Sequence, residues 1–376
     1  MDERGTIFRP GENCEAVARA RRAALLVDAQ AYYEAFVRAA ERAERSILIV
    51  GWDFDSRTVL RYRPDGSPEE TLGDFLNRLA QANPALHVRI LDWDYPMIFG
   101  HDREIPPIYG ITWKPHRRID IRYDDTHPMA GSHHQKLVVI DDRIAFAGGI
   151  DLSSKRWDSP AHAPGDPRRT FLGQPYPPMH DMMALVDGEA ARAISGVARA
   201  RWQAATGEAL HPIEVPGDGW PPEVAVALRD VAAAVACTSA PCAEHGPVRE
   251  IERLYLDMIA AAKRYIYIEN QYFTSQAIAD ALRARLAEPD GPEIVLLTRL
   301  LSHGWLEELT MQALRTRFVR ELHAGDAHGR FHAYYPHVEG LKEGTCIDLH
   351  SKLMIVDDEW LRVGSSNLSN RSMGVD

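Results

Sequence analysis

Ser132-His133-His134-Gln135-Lys136-Leu137-Val138-Val139-Ile140-Asp141 is followed, after six residues, by Gly148-Gly149-Ile150-Asp151. The pattern returns as Leu349-His350-Ser351-Lys352-Leu353-Met354-Ile355-Val356-Asp357, then six residues, then Gly364-Ser365-Ser366-Asn367. His, Lys, Asp and the first Gly all recur 216 positions on. A second pair of segments repeats in the same order. Arg45-Ser-Ile-Leu-Ile-Val50-Gly-Trp-Asp-Phe54 is echoed 219 positions later by Arg264-Tyr-Ile-Tyr-Ile-Glu269-Asn-Gln-Tyr-Phe273. Two elements repeated in one order, with a three-residue indel between them, indicate a duplicated domain.

Working outward, each half reads alike. An amphipathic helix (28–44, and again 249–264) precedes the β-branched or aromatic strand. A second helix follows (69–82 and 276–287), then a short apolar strand (Val88–Leu91 and Ile294–Leu297). Each His-x-Lys opens a further strand, Leu137–Ile140 or Leu353–Val356, and an acidic turn leads to Ile144–Ala147 or Leu361–Val363. Alternating helices and strands predict an α/β fold of two pseudo-symmetric lobes, each a mixed sheet flanked by helices. The Pro-rich stretch from Leu210 to Pro247 reads as the connection, with a helix over 222–236. The expected division is residues 1–209, a linker over 210–247, and a second lobe over 248–376.

Composition narrows the class. The chain has 376 residues, 45% hydrophobic and 26% charged, with net charge −11. That is the profile of a globular protein with a packed core. No run approaches ~18 apolar residues, the approximate minimum for a spanning helix. Met1-Asp2-Glu3-Arg4-Gly5 has no basic region leading into an apolar one, so no secretory signal is expected. Cys14, Cys237, Cys242 and Cys346 show neither zinc spacing nor a disulfide framework, which predicts a reducing, cytoplasmic compartment. An acidic chain is a poor match for nucleic acid, whose binding sites are basic.

On a strand, residues two apart share a face, so His134 lies with Lys136 and His350 with Lys352. Such a pair sets a nucleophile or proton donor beside a fixed cation, which suits a phosphate oxyanion. A single His-x-Lys carries almost no information. Two complete copies, which hold two of only six lysines, carry a great deal. The Ser365, Ser366 and Asn367 turn can add hydroxyl, amide and backbone donors. Asp141 and Asp357 stand at the far ends of their strands, where a structural role is expected. No metal is expected either: there is no H-E-x-x-H, and each motif histidine has a lysine beside it that repels a cation.

The doubled H-x-K-x4-D-x6-G pattern resembles the phospholipase D superfamily, and the likeness spans both halves. Gly148-Gly149-Ile150-Asp151-Leu152 with Arg156-Trp157-Asp158, Ile266–Phe273 and Pro178-Met179-His180-Asp181 resemble its eukaryotic-type branch. Phe8–Cys14 and Ser302-His303-Gly304-Trp305-Leu306-Glu307 resemble bacterial members. The resemblance implies one active site between the lobes, with a catalytic set of His134, Lys136, Asp141, His350, Lys352, Asp357 and Asp181. His134 would form a phosphohistidine, His350 would serve as acid and then base, and the two lysines would hold the phosphate without a cofactor. Asp181 would orient the first-lobe histidine. The matching second-lobe carboxylate would fall about two positions beyond Asp376, so that lobe is expected to be incomplete in this chain, with Asp376 the nearest acid.

Substrate contacts are expected from Ser365, Ser366, Asn367, Gly149, Glu269 and Asn270. Asp151 is expected to pair with Arg156 or the backbone, because an aspartate repels phosphate. His133, His127 and Asp125 stand just before the nucleophile, either lining the cleft or supporting its edge. Trp52, Trp93, Tyr95, Trp157 and Tyr272 are candidates for a headgroup pocket, though each alone fits core packing better. The expected activity is hydrolysis or transphosphatidylation of glycerophospholipids, with peripheral contact at the inner face of a membrane. A cardiolipin synthase-like transferase uses the same residues. A nuclease conflicts with the charge, and a non-catalytic membrane module conflicts with the intact histidine and lysine sets.

Overall fold

In the computed structural model the described residues are 6–94, 113–127, 131–240, 246–301 and 311–376. The chain divides into two compact units. One is formed by Ala18–Tyr176 with Met182–Ala233, the other by the described parts of Met1–Val17, Pro177–Asp181 and Ala234–Asp376. For brevity these are the 134-unit and the 350-unit.

The 134-unit carries an eight-stranded mixed sheet in the order Leu228–Val235, Ala16–Val27, Met182–Asp187, Ile144–Gly148, Leu137–Ile140, Ser46–Gly51, His87–Trp93, Ile119–Asp124. The 350-unit carries a five-stranded one in the order Phe331–Tyr334, Glu293–Leu297, Tyr265–Asn270, Lys352–Val356, Trp360–Val363. The duplication is visible strand by strand. In each sheet the strand of the second repeat runs parallel to the strand after the next helix and antiparallel to the His-x-Lys strand. Even the register is kept: Ile47 lies opposite Ile140, and Ile266 opposite Val356.

The turn after each His-x-Lys strand has one construction in both units. Asp141 and Asp142 have φ of 53° and 54°, and Asp357 and Asp358 have 57° and 60°. Two successive left-handed residues make the tight turn whose twist matches a β-hairpin, and aspartate tolerates that conformation. The first aspartate of each pair also ties the hairpin down. Asp141 accepts the backbone N–H groups of Glu44, Arg45 and Ser46, and Asp357 those of Lys263, Arg264 and Tyr265.

Apolar periodicity explains the layers. Helices Asp28–Ala40 and Leu72–Ala82 supply Tyr32, Phe36 and Phe75 to one face of the eight-stranded sheet. Helix Gly188–Thr206 covers the other face and buries Trp202 completely. Each fully buried side chain of this size contributes roughly 1.5–3 kcal/mol of transfer free energy. In the 350-unit, Tyr255, Leu282 and Phe318 close over Ile266, Ile268 and Met354.

One expected element is corrected. The segment predicted as a helix over 222–236 instead contributes the strand Leu228–Val235. Its alanines favour a helix, but Asp230 takes φ 54°, which no helix accommodates, and pairs with Arg19 at 2.9 Å. Among the described residues no helix is long and apolar enough to cross a membrane.

Candidate active site

His350 precedes the strand Lys352–Val356 and is 8% exposed, while Lys352 is 1% exposed. The imidazole Nδ1 lies 2.6 Å from Asp181 Oδ2. A contact that short to a carboxylate assigns the Nδ1 proton to the Asp181 bond and leaves Nε2 as the nitrogen for proton exchange. Lys352 Nζ stands 2.9 Å from the same Nδ1, donates to the His350 carbonyl and lies 3.3 Å from Gln271 Oε1.

Asp181 is placed here by backbone, not by the strand it precedes. Pro177 and Pro178 hold the chain extended. The Asp348 N–H donates to the Pro178 carbonyl at 2.7 Å, and the His350 N–H to the His180 carbonyl at 2.8 Å. Met179–His180 thereby forms a parallel pair with Asp348–Leu349. This corrects the expectation that Asp181 serves the first-copy histidine and that the carboxylate for His350 lies beyond Asp376.

Beside this dyad lies a second buried network. Glu269 accepts from Tyr267 Oη at 2.6 Å, Ser351 Oγ at 2.6 Å and His180 Nε2 at 3.2 Å. Burial alone raises the Glu269 pKa. The hydrogen bonds from His180, Ser351 and Tyr267 outweigh that and hold it below the ordinary glutamate value. Asn270, directly opposite Lys352, accepts from the backbone N–H groups of Leu368 and Tyr272. Its Nδ2 and the Oδ1 of Asn367 are buried with no hydrogen-bond partner among the described residues. Ser366 Oγ donates to the Ser372 carbonyl at 3.2 Å, and Ser365 is half-buried.

In the 134-unit, Lys136 is buried and its Nζ lies 2.9 Å from Asp151 Oδ2. Asp151 also accepts from the Trp52 backbone N–H at 3.0 Å. Of the two expected partners, Arg156 or the backbone, the backbone contact is present, and the ion pair is made with Lys136. His134 is half-buried, edge-on to Trp52 at 6.0 Å, and Trp52 stacks on Trp93 at 5.6 Å. His127 lies edge-on to Trp93, and Asp125 is exposed. Burial, with Arg201 nearby, pushes His133 down to about 4, so it is neutral at neutral pH. The Gly149 N–H donates to the Met182 carbonyl at 2.9 Å. A Cβ on the preceding Gly148 would strike that carbonyl, which explains glycine there. Trp157 belongs to the core, and Tyr272 lies under the Arg299 guanidinium. Tyr95, Cys242 and the 302–307 motif lie outside the described residues.

Three features escaped the sequence. Gln271 lies against Lys352 and Ser351 donates to Glu269, and neither stands out in its motif. His162 lies between Asp158 at 3.0 Å and Asp28 at 3.5 Å, with Arg169 on Asp158 at 2.8 Å. Only the Arg156-Trp157-Asp158 signature hinted at that network.

The geometry therefore defines a duplicated α/β protein in which each copy presents a histidine and a buried lysine two residues apart. A family model described as the cardiolipin synthase PLD-like domain matches residues 255–376. Phospholipase D A of Dictyostelium discoideum is 25% identical over 428 residues, covering 93% of this chain and 32% of its own length. Phospholipase D alpha 2 of Oryza sativa subsp. japonica is 24% identical over 481 residues, covering 89% of this chain and 57% of its own. The solved phosphatidylserine synthase of Haemophilus influenzae Rd KW20 superposes with TM-score 0.61 over 94% of this chain and 80% of its own. At 12% identity that likeness speaks to fold. Residues 255–376 thus match a phospholipase D-like domain, and most of the chain is similar to eukaryotic phospholipases D at about 25% identity. The chain spans about a third to three fifths of the length of these two phospholipase D relatives.

Proposed function

We propose that this protein is a phospholipase D-type phosphodiesterase and phosphatidyltransferase acting on glycerophospholipids, with His134 and His350 serving one reaction. The observation that carries the reading is the Asp181–His350 dyad with buried Lys352 beside it. A carboxylate on Nδ1 stabilises the imidazolium, which suits His350 to begin as the acid.

In the first step His134 attacks phosphorus, the bond to the headgroup oxygen breaks, and His350 supplies that oxygen with a proton. In the second, His350 takes a proton from water or an alcohol, whose oxygen attacks phosphorus and expels His134. Lys136 and Lys352 stabilise the phosphate oxyanions through both steps, which is electrostatic work needing no metal. The Nδ2 of Asn270 and the Ser365–Asn367 turn supply further hydrogen bonds. Names among the relatives support a lipid substrate: phospholipases D, and a phosphatidylserine synthase of like fold. A second reading, a transferase with phosphatidylglycerol as acceptor, is favoured by the cardiolipin synthase description of the matching model.

The test is incubation with mixed phospholipids and a primary alcohol in excess EDTA. Phosphatidic acid and the phosphatidyl alcohol are expected, and His134→Ala and His350→Ala should each abolish both products. Cardiolipin from phosphatidylglycerol alone selects the transferase reading. Normal turnover by either alanine variant contradicts the assignment.

A further inference from the structure

The IENQ stretch at 268–271 invites a headgroup-reading role for its glutamate, yet the Glu269 carboxylate is already engaged. Both oxygens accept hydrogen bonds from within the 350-unit, and the residue is 6% exposed. Two of its donors are chain neighbours of the dyad: Ser351 follows His350, and His180 precedes Asp181. Adjacent residues of an extended chain project to opposite sides. Met179–His180 and Asp348–Leu349 run side by side as extended chain. The result is a double clasp: Asp181 grips His350 while His180 and Ser351 both grip Glu269.

We propose that Glu269 is a positioning residue for the reaction, holding the Asp181-bearing segment against His350 through His180 and Ser351. The need for such a device is visible in the ladder itself. The parallel pairing spans two residues on each side, a short anchor for a carboxylate that must keep a 2.6 Å bond. Glu269 fixes the same two segments from the other side. The inference rests on the proposed phosphodiester reaction and assigns Glu269 to the orientation of the acid, not to recognition of a headgroup.

The test compares Glu269→Gln, His180→Gln and the double variant with Asp181→Asn, in the full chain. The readouts are kcat and KM on two phospholipids of different headgroup. They are joined by the downfield proton resonance of the His350 Nδ1–H bond, identified by its loss in Asp181→Asn. Glu269→Gln and His180→Gln should each lower kcat about tenfold with KM and headgroup preference unchanged, as expected for loss of a group that orients a histidine's carboxylate. The downfield resonance should broaden or vanish in both. The double variant should be no worse than the poorer single one, because both cut one clasp. His180→Gln carries the test if Glu269→Gln does not fold, since His180 is only half-buried. Unchanged kcat with an intact resonance overturns the proposal, as does a change confined to KM and headgroup preference. If Asp181→Asn itself leaves turnover unaffected, it is the underlying reading of the dyad that fails.

Discussion

Lys136 and Lys352 stand at matching positions in the two copies, yet their surroundings differ. Lys136 forms a 2.9 Å ion pair with Asp151 and lies over the Trp52 ring at 5.6 Å. Lys352 meets Gln271, His350 and the His350 carbonyl. The position of Asp151 in the first copy is held by Asn367 in the second. Both charges are buried at ion-pair distance. Removing one member of a buried pair typically costs about 3–5 kcal/mol. Asp151→Asn should therefore lower the unfolding free energy by about 3 kcal/mol at neutral pH, measured by urea titration. A loss under about 0.5 kcal/mol, the usual scale of a surface substitution, would mean that Lys136 finds equivalent support elsewhere.

At the scale of elements, the hairpin after each His-x-Lys strand is the repeated structural unit, and its first aspartate is the anchor. Asp357 shows how that anchoring depends on pH. Burial raises its pKa, but the three backbone N–H donors from Tyr265, Lys263 and Arg264 more than offset this, so the folded value lies below the ordinary one. A depressed folded pKa contributes stability that is complete above the unfolded pKa and lost as pH falls through the folded value. Asp357→Asn should cost about 2–4 kcal/mol at neutral pH, in line with charge-assisted hydrogen bonds to a buried acceptor. The gap between variant and parent should shrink below about pH 4, near the unfolded aspartate pKa. An equal gap at both pH values would show that the charge on Asp357 plays no part. These hairpins were legible in sequence because an apolar run, an acidic pair and a second short run are local signals. The strand Leu228–Val235 was not: its alanines satisfy helix propensity, and only its place beside Ala16–Val27 overrides that. The partner of Asp181 was not legible either. The resemblance pointed to Asp181 as an orienting carboxylate for the histidine of its own half, whereas backbone pairing with 348–350 puts it on His350.

Over the whole molecule, one five-strand pattern is used twice, with the same parallel and antiparallel pairings and the same register at its centre. That duplication supplies two histidine–lysine pairs from one ancestral arrangement, and their environments have diverged. The carboxylate-bound His350 is suited to carrying a proton. His134, half-buried beside the Trp52 and Trp93 stack, is the candidate nucleophile. The net charge of −11 surrounds these pairs without defining them. The motif residues and the central strands could be read from the chain because they repeat. The different roles expected of the two histidines came from the resemblance alone, and the contacts around each, such as Asp181 on His350, join residues far apart in sequence.

The central claim is that the two histidines play different parts in one two-step transfer. The most direct measurement is rapid alkaline quenching of the protein during turnover of a phospholipid, followed by mass spectrometry of its histidine peptides. The account predicts a phosphatidyl adduct on His134, none on His350, and no adduct in His134→Ala. An adduct on His350 instead, or steady turnover with neither histidine modified, would contradict it.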